Sequence, residues 1–145
     1  MTYVILLLEV KPMSEVKHGR GYVYALQYHM VWCVKYRHKI LVDKIDVRLK
    51  EMLHQIASDN HFTIAEIESD SDHIHLLVEC TPQHAIPNMI KALKGVSARL
   101  LFKEFPQLKK HLWGGNLWNP SYFVATVSEH TEEQIRMYIQ HQKVK

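Results

Sequence analysis

The segment Asp72-His73-Ile74-His75 runs directly into Leu76-Leu77-Val78, and its two histidines are separated by one residue. On a β-strand successive side chains point to opposite faces, so both imidazoles would share one face while Ile74, Leu76 and Val78 line the other. Two imidazoles side by side can grip a divalent metal. In a chain with 11 histidines the same pair can equally be surface or satisfied core residues, and the pair by itself leaves both readings open. A second pair with chemical potential stands near the other end of the sequence. Tyr138 and Gln142 are four residues apart, so on a helix they would share a face with Ile135 and Ile139. There the tyrosine is either a core ring with its hydroxyl at the edge of the stripe or a phenol kept for reaction.

Strands and helices must carry these residues to one place. Tyr22 to Val34 is rich in Val, Tyr and Trp and reads as one long strand. Val42 to Asn60 reads as a helix, because Ile45, Leu49, Met52, Leu53 and Ile56 recur at three- and four-residue steps. Phe62 to Ile67 and His73 to Cys80 read as strands joined by the polar turn Glu68 to Asp72. From Ala85 to Phe105 a stripe of Ile86, Met89, Ile90, Leu93, Val96, Leu100 and Leu101 predicts a second helix, stopped by Pro106. Gly114-Gly115 marks a turn, Tyr122 to Val127 a further strand, and a last helix starts near Thr131 and runs almost to the end of the sequence. This order predicts an α+β fold of ferredoxin-like or RRM-like type. Its antiparallel sheet carries helices on one face, and a C-terminal helix carries the tyrosine.

A chain of 145 residues suits a single domain over 1–145, with 1–20 as an N-terminal extension. Cys33 and Cys80 lie in apolar runs and read as small buried hydrophobes, a usage compatible with a reducing cytoplasm. The run Val4 to Leu8 is too short to span a bilayer, and the lack of a cationic start before it argues against secretion. A net charge of +3 permits a polyanionic partner without demanding one. The cations Lys35, Arg37 and Lys39, and then Lys91, Lys94, Arg99 and Lys103, form two groups that are either solvated faces or phosphate contacts. Trp113, Trp118 and Tyr36 are either core rings or platforms for unpaired bases.

Several ordered motifs then occur together: Tyr28-His29-Met30-Val31-Trp32-Cys33-Val34-Lys35-Tyr36-Arg37, Asp72-His73-Ile74-His75-Leu76-Leu77, Ile90-Lys91-Ala92-Leu93-Lys94-Gly95, Leu117-Trp118-Asn119-Pro120-Ser121-Tyr122-Phe123, and Tyr138-Ile139 with Gln142. Across nearly the whole chain this combination resembles the single-tyrosine HUH transposases of the insertion sequence 200/605 family. The start of the sequence, with Gly19-Arg20-Gly21-Tyr22-Val23-Tyr24, is similar to that of the Deinococcus-type members. Ser71 stands where many members have proline before the Asp-His.

The resemblance implies that His73, His75 and Gln142 hold a divalent metal, Mg²⁺ or Mn²⁺, and that Tyr138 attacks a DNA phosphodiester to form a 5′-phosphotyrosine. It implies single-stranded DNA with subterminal hairpins as substrate, and a homodimer in which the tyrosine helix of one subunit completes the site of the other. The residue chemistry is consistent with this. A phenol with a pKa of ~10 is a poor nucleophile at neutral pH, so it needs a base or charge stabilisation at the phosphate. Transesterification conserves the phosphoester and needs no nucleotide, in keeping with a sequence that has no Walker-type loop. Asp72, Glu68 and Glu79 are nearby carboxylates suited to supporting a histidine or to solubility. A ferredoxin-like sheet with basic and aromatic residues is also compatible with a non-catalytic module that holds RNA or single-stranded DNA.

Overall fold

The computed structural model describes residues 17–19, 22–24, 26–112, 114–127 and 131–142. The run Val4 to Leu8, most of the 1–20 extension and Trp113 lie outside the described residues. Two short strands come first, β1 (Lys17–Gly19) and β2 (Tyr22–Tyr24), paired antiparallel as a ribbon of their own. The main sheet comprises β3 (Leu26–Cys33), β4 (Thr63–Asp70), β5 (His73–Cys80) and β6 (Phe123–Thr126), in the order β4-β5-β3-β6 with every neighbouring pair antiparallel. Helix α1 (Asp43–Asp59) follows β3, α2 (Ile86–Glu104) follows β5, and α3 (Thr131–Gln140) follows β6. Strand-helix-strand-strand-helix-strand, with the first strand inside the sheet beside the third, is the ferredoxin-like arrangement expected from the sequence.

The alternation of β3 and β5 creates two faces. Met30 and Trp32 of β3 join Ile74, Leu76 and Val78 of β5 in a core with Leu49 and Leu53 of α1 and Leu93 and Leu101 of α2. Each large side chain sealed there contributes roughly 1.5–3 kcal/mol relative to exposure. On the reverse face Val31 packs against Ile135 and Ile139 of α3, with Phe123 and Tyr138 at the margin. The Thr131 hydroxyl donates to the Thr126 carbonyl at 3.2 Å and ties the start of α3 to the end of β6.

Three boundaries differ from the sequence reading. The strand expected over Tyr22 to Val34 is divided between two sheets, because β2 finds its backbone partners in Lys17–Gly19 and β3 finds its own in β5 and β6. The strand expected to stop at Ile67 continues to Asp70, leaving only Ser71 and Asp72 to turn into β5. A bulge between Ile64 and Glu66 adds one residue, so Ile64 and Ile67 both reach the core face although their spacing is odd. Beyond the bulge Glu66, Glu68 and Asp70 stand across from Leu77, His75 and His73. Finally, α3 ends at Gln140, short of Gln142.

Candidate active site

His73 pairs across the ladder with Cys33, and His75 with Val31, the residue on which α3 rests. Both imidazoles therefore emerge on the face that carries the C-terminal helix. The alternation predicted this shared face, but the rings are not held out toward solvent: His73 is 0% and His75 1% exposed. Polar neighbours enclose them. Asp72 Oδ1 lies 2.8 Å from His73 Nδ1, and His29 Nδ1 lies 2.7 Å from His75 Nε2.

Asp72 orients the His73 ring. Burial pushes the Asp72 carboxyl up, but the hydrogen bond from His73 and the Arg37 guanidinium, whose Nε is 3.1 Å from Oδ2, together hold it below the usual range. An ionised carboxylate only accepts, so His73 Nδ1 is the donor in that bond, which leaves Nε2 as the ring nitrogen free to face a ligand. That Nε2 is buried with no hydrogen-bond partner among the described residues, as is His75 Nδ1. Burial, followed by the neighbouring His29 and His73, lowers the His75 pKa to about 3, so its ring is neutral. A buried nitrogen without a partner costs roughly 1–3 kcal/mol, which makes two of them on one face an unusual expense for mere packing. A metal could use either nitrogen where it carries a lone pair. Among the described residues no group of three or more His, Cys, Asp or Glu side chains converges as a metal site, so a third protein donor would have to be of another type.

The C-terminal helix supplies such a type. Ile135 and Ile139 are fully buried and seat α3 on the sheet, with Tyr138 beside them. Gln142 stands in the turn beyond the helix, where its backbone N–H donates to the Ile139 carbonyl at 3.2 Å and its Nε2 to the Tyr138 carbonyl at 3.1 Å. These bonds keep it next to Tyr138 even though the helix has ended. Its Oε1 accepts from Asn119 Nδ2 at 2.6 Å and from the Ser121 hydroxyl at 3.2 Å. Ser121 Oγ is in turn 2.8 Å from the Tyr138 hydroxyl. Either hydroxyl can donate in that contact, and the three groups form a chain from Tyr138 through Ser121 to Gln142. Burial pushes the Tyr138 phenol up to about 12, offset in part by Ser121 and reinforced by the nearby Cys33 thiol.

The segment bearing Asn119 and Ser121 is itself pinned. The Lys35 N–H donates to the Leu117 carbonyl and the Asn119 N–H to the Cys33 carbonyl, both at 2.9 Å. Trp118 Nε1 donates to Ser97 Oγ at 3.1 Å, and Lys94 Nζ donates to the carbonyls of Asn119 at 2.6 Å and Ser121 at 3.0 Å. Two of the seven cations read from sequence as possible phosphate contacts thus have structural partners, Arg37 on Asp72 and Lys94 on this segment. Lys91 and Arg99 are exposed on α2, and Lys35 is half-buried with its ammonium 5.4 Å from the Tyr36 ring. Trp118 is a core ring rather than a base platform, whereas Tyr36 is exposed. Cys33 and Cys80 are buried free thiols, as their apolar surroundings suggested. Roles for His29, Asn119 and Ser121 were not singled out from sequence. Their signal was present in the quoted motifs, but only the strand register and the 117–121 segment bring them to the histidines and the tyrosine.

Residues 22–142 match the family described as Transposase IS200 like. The chain belongs to that family. The transposase TnpA of ISDra2 from Deinococcus radiodurans is 56% identical over 142 residues, covering 98% of this chain and 97% of the relative. The transposase of insertion sequence element IS200 from Salmonella typhimurium is 31% identical over 116 residues, 80% of this chain and 76% of the relative. A transposase crystal structure from Deinococcus radiodurans R1 superposes with a TM-score of 0.85 at 54% identity, covering 89% of this chain and 99% of that one. A REP-associated tyrosine transposase bound to a REP hairpin gives a TM-score of 0.53 at 13% identity, over 83% of this chain and 67% of that one, which is a likeness of fold. Among the described residues no helix is long and apolar enough to cross a membrane.

Proposed function

We propose that this IS200-like transposase cleaves and rejoins single-stranded DNA at insertion-sequence ends through a covalent 5′-phosphotyrosine on Tyr138. The observation that carries the reading is the pair of buried, unpartnered nitrogens, His73 Nε2 and His75 Nδ1, on the sheet face to which the tyrosine helix is packed. His73, His75 and the Gln142 side-chain oxygen would hold Mg²⁺ or Mn²⁺, a mixed donor set that suits Mn²⁺ and leaves coordination positions open. When bound, the ion supplies positive charge that polarises a non-bridging phosphate oxygen. Tyr138 contributes the attacking oxygen. Its bond to phosphorus forms as the bond to the 3′ sugar oxygen breaks, and the departing 3′-hydroxyl can later reverse the step on another end. Ser121 holds the phenol through their shared hydrogen bond, and Asp72 accepts from His73 Nδ1 so that Nε2 would face the metal.

The substrate is single-stranded DNA with subterminal hairpins, whose phosphates meet the exposed Lys91 and Arg99 and the half-buried Lys35. Two copies form the working unit within a domain that spans residues 1–145: α3 rests on its own sheet in the single chain, and the family resemblance implies that in the dimer it presents Tyr138 to the histidines of the other copy instead. A labelled oligonucleotide from the genomic flank of the gene, incubated with Mn²⁺, should give a denaturant-resistant adduct that is lost in Tyr138→Phe. Binding without any adduct would instead mark a non-catalytic module. Mixing Tyr138→Phe with His73→Ala protein should restore adduct formation if the tyrosine acts across the dimer; an inert mixture would place each tyrosine with its own histidines.

A further inference from the structure

Asn119 and Ser121 grip Tyr138 of α3 and Gln142 just beyond it, yet the group that fixes them comes from the opposite side of the sheet. Lys94 sits on α2, a helix whose buried stripe serves the core face. Its side chain leaves that stripe and spends two N–H donors on the Asn119 and Ser121 carbonyls, while the ammonium also lies 6.0 Å from the Tyr122 ring. Charge-assisted bonds of this length are about twice as strong as neutral ones. Half-burial draws the Lys94 pKa down to about 8, whereas a lysine reserved for DNA phosphates would stay solvated.

We propose that Lys94 is a positioning residue for strand cleavage: by holding the Asn119 and Ser121 carbonyls it sets the two side chains that orient Tyr138 and Gln142. The proposal rests on the reading of Tyr138 as the nucleophile. Lys94 touches neither the phenol nor the histidines, so its influence passes through one turn of chain. That turn remains anchored to Cys33 and Lys35 by backbone bonds when the ammonium is removed, so it should drift and not unfold. A drift of ~1 Å in a reacting group can cost roughly 10²-fold in rate.

The test uses the full chain, Mn²⁺ and a labelled single-stranded oligonucleotide carrying the hairpin from the gene's own flank. Lys94→Met should slow single-turnover cleavage roughly 10- to 100-fold at saturating oligonucleotide. The Kd for the oligonucleotide, and its slope against salt, should stay as in the wild type. Lys94→Arg, which keeps the charge and two donors, should recover the rate to within about threefold, a rescue that simple space-filling would not give. In an Asn119→Ala, Ser121→Ala background Lys94→Met should add less than about a twofold loss, because residues acting as one unit are not additive. A phosphate contact would behave oppositely, weakening Kd and lowering the salt slope by about one with the saturated rate intact, and would overturn the proposal. So would a Lys94→Arg protein as slow as Lys94→Met, or a full extra loss in the double-alanine background. If Tyr138→Phe cleaves normally, the proposed function fails; if Tyr138→Phe is dead and Lys94→Met runs at the wild-type rate, only the positioning role fails.

Discussion

Met30, Trp32, Ile74, Leu76 and Val78 point to one side of the main sheet, and His29, Val31, Cys33, His73 and His75 to the other. The two sets come from alternate residues of the same two strands, and in each the central members are almost completely buried. Burial therefore does not distinguish them. The difference lies in the polar atoms. On the helix-packed core side the side chains are apolar apart from the Trp32 indole nitrogen, and their contribution is the removal of area from water. On the α3 side two ring nitrogens are buried without partners, a carboxylate is held ionised against one of the rings, and a phenol is tied to an amide through a serine hydroxyl. One side is organised for stability, and the other keeps polar groups where stability alone would not place them.

Substitutions on the two sides should accordingly separate into losses of chemistry and losses of folding. The largest effect is expected from His73→Ala or His75→Ala, each lowering adduct formation on the order of 10³-fold while hairpin binding, read by fluorescence anisotropy, stays largely in place. Parallel loss of binding would mean that the histidine side is structural after all. Leu76→Ala, one residue along but on the core side, should cost about 2–5 kcal/mol in denaturant unfolding and leave the cleavage rate of the folded fraction unchanged. Asp72→Asn replaces the charged acceptor beside His73 with an amide that can also present an N–H, so the ring is no longer held to one tautomer, and should weaken Mn²⁺ binding roughly 10- to 100-fold, measured by titration of free Mn²⁺ by electron paramagnetic resonance. Unaltered Mn²⁺ affinity would show that the bare nitrogen does not depend on Asp72. The smallest effect should come from Arg99→Ala on exposed α2, which should lower the slope of log Kd against log salt by about one and leave the saturated cleavage rate alone.

The sequence was most legible where one period governs a whole element. Strand β5 runs from His73 to Cys80 as its alternation required, and its two faces are the ones predicted. α1 and α2 end within a residue of the expected limits because apolar stripes and Pro106 mark them. Legibility failed where a long-range partner decides. Nothing in the composition of Tyr22 to Val34 shows that its first residues pair with Lys17–Gly19, and a bulge near Ala65 defeats a strict period of two in β4. His29 meets His75 only through strand register, and Arg37 and Lys94 read as surface cations until their partners Asp72 and the 119–121 turn are in place. Tyr138 and Gln142 were recognised as a pair from their spacing and from motif resemblance. Their link through Ser121 depends on a chain segment 17 residues before the tyrosine and could not be read from helix periodicity.

The central claim concerns the identity of the nucleophile, and peptide mapping tests it most directly. The protein is incubated with the flank oligonucleotide and Mn²⁺, the adduct digested with trypsin and nuclease, and the nucleotide-bearing peptide sequenced by mass spectrometry. A nucleotide attached through its 5′-phosphate to Tyr138 is the predicted result. Attachment at another residue, or efficient cleavage with no nucleotide on any peptide, would contradict it.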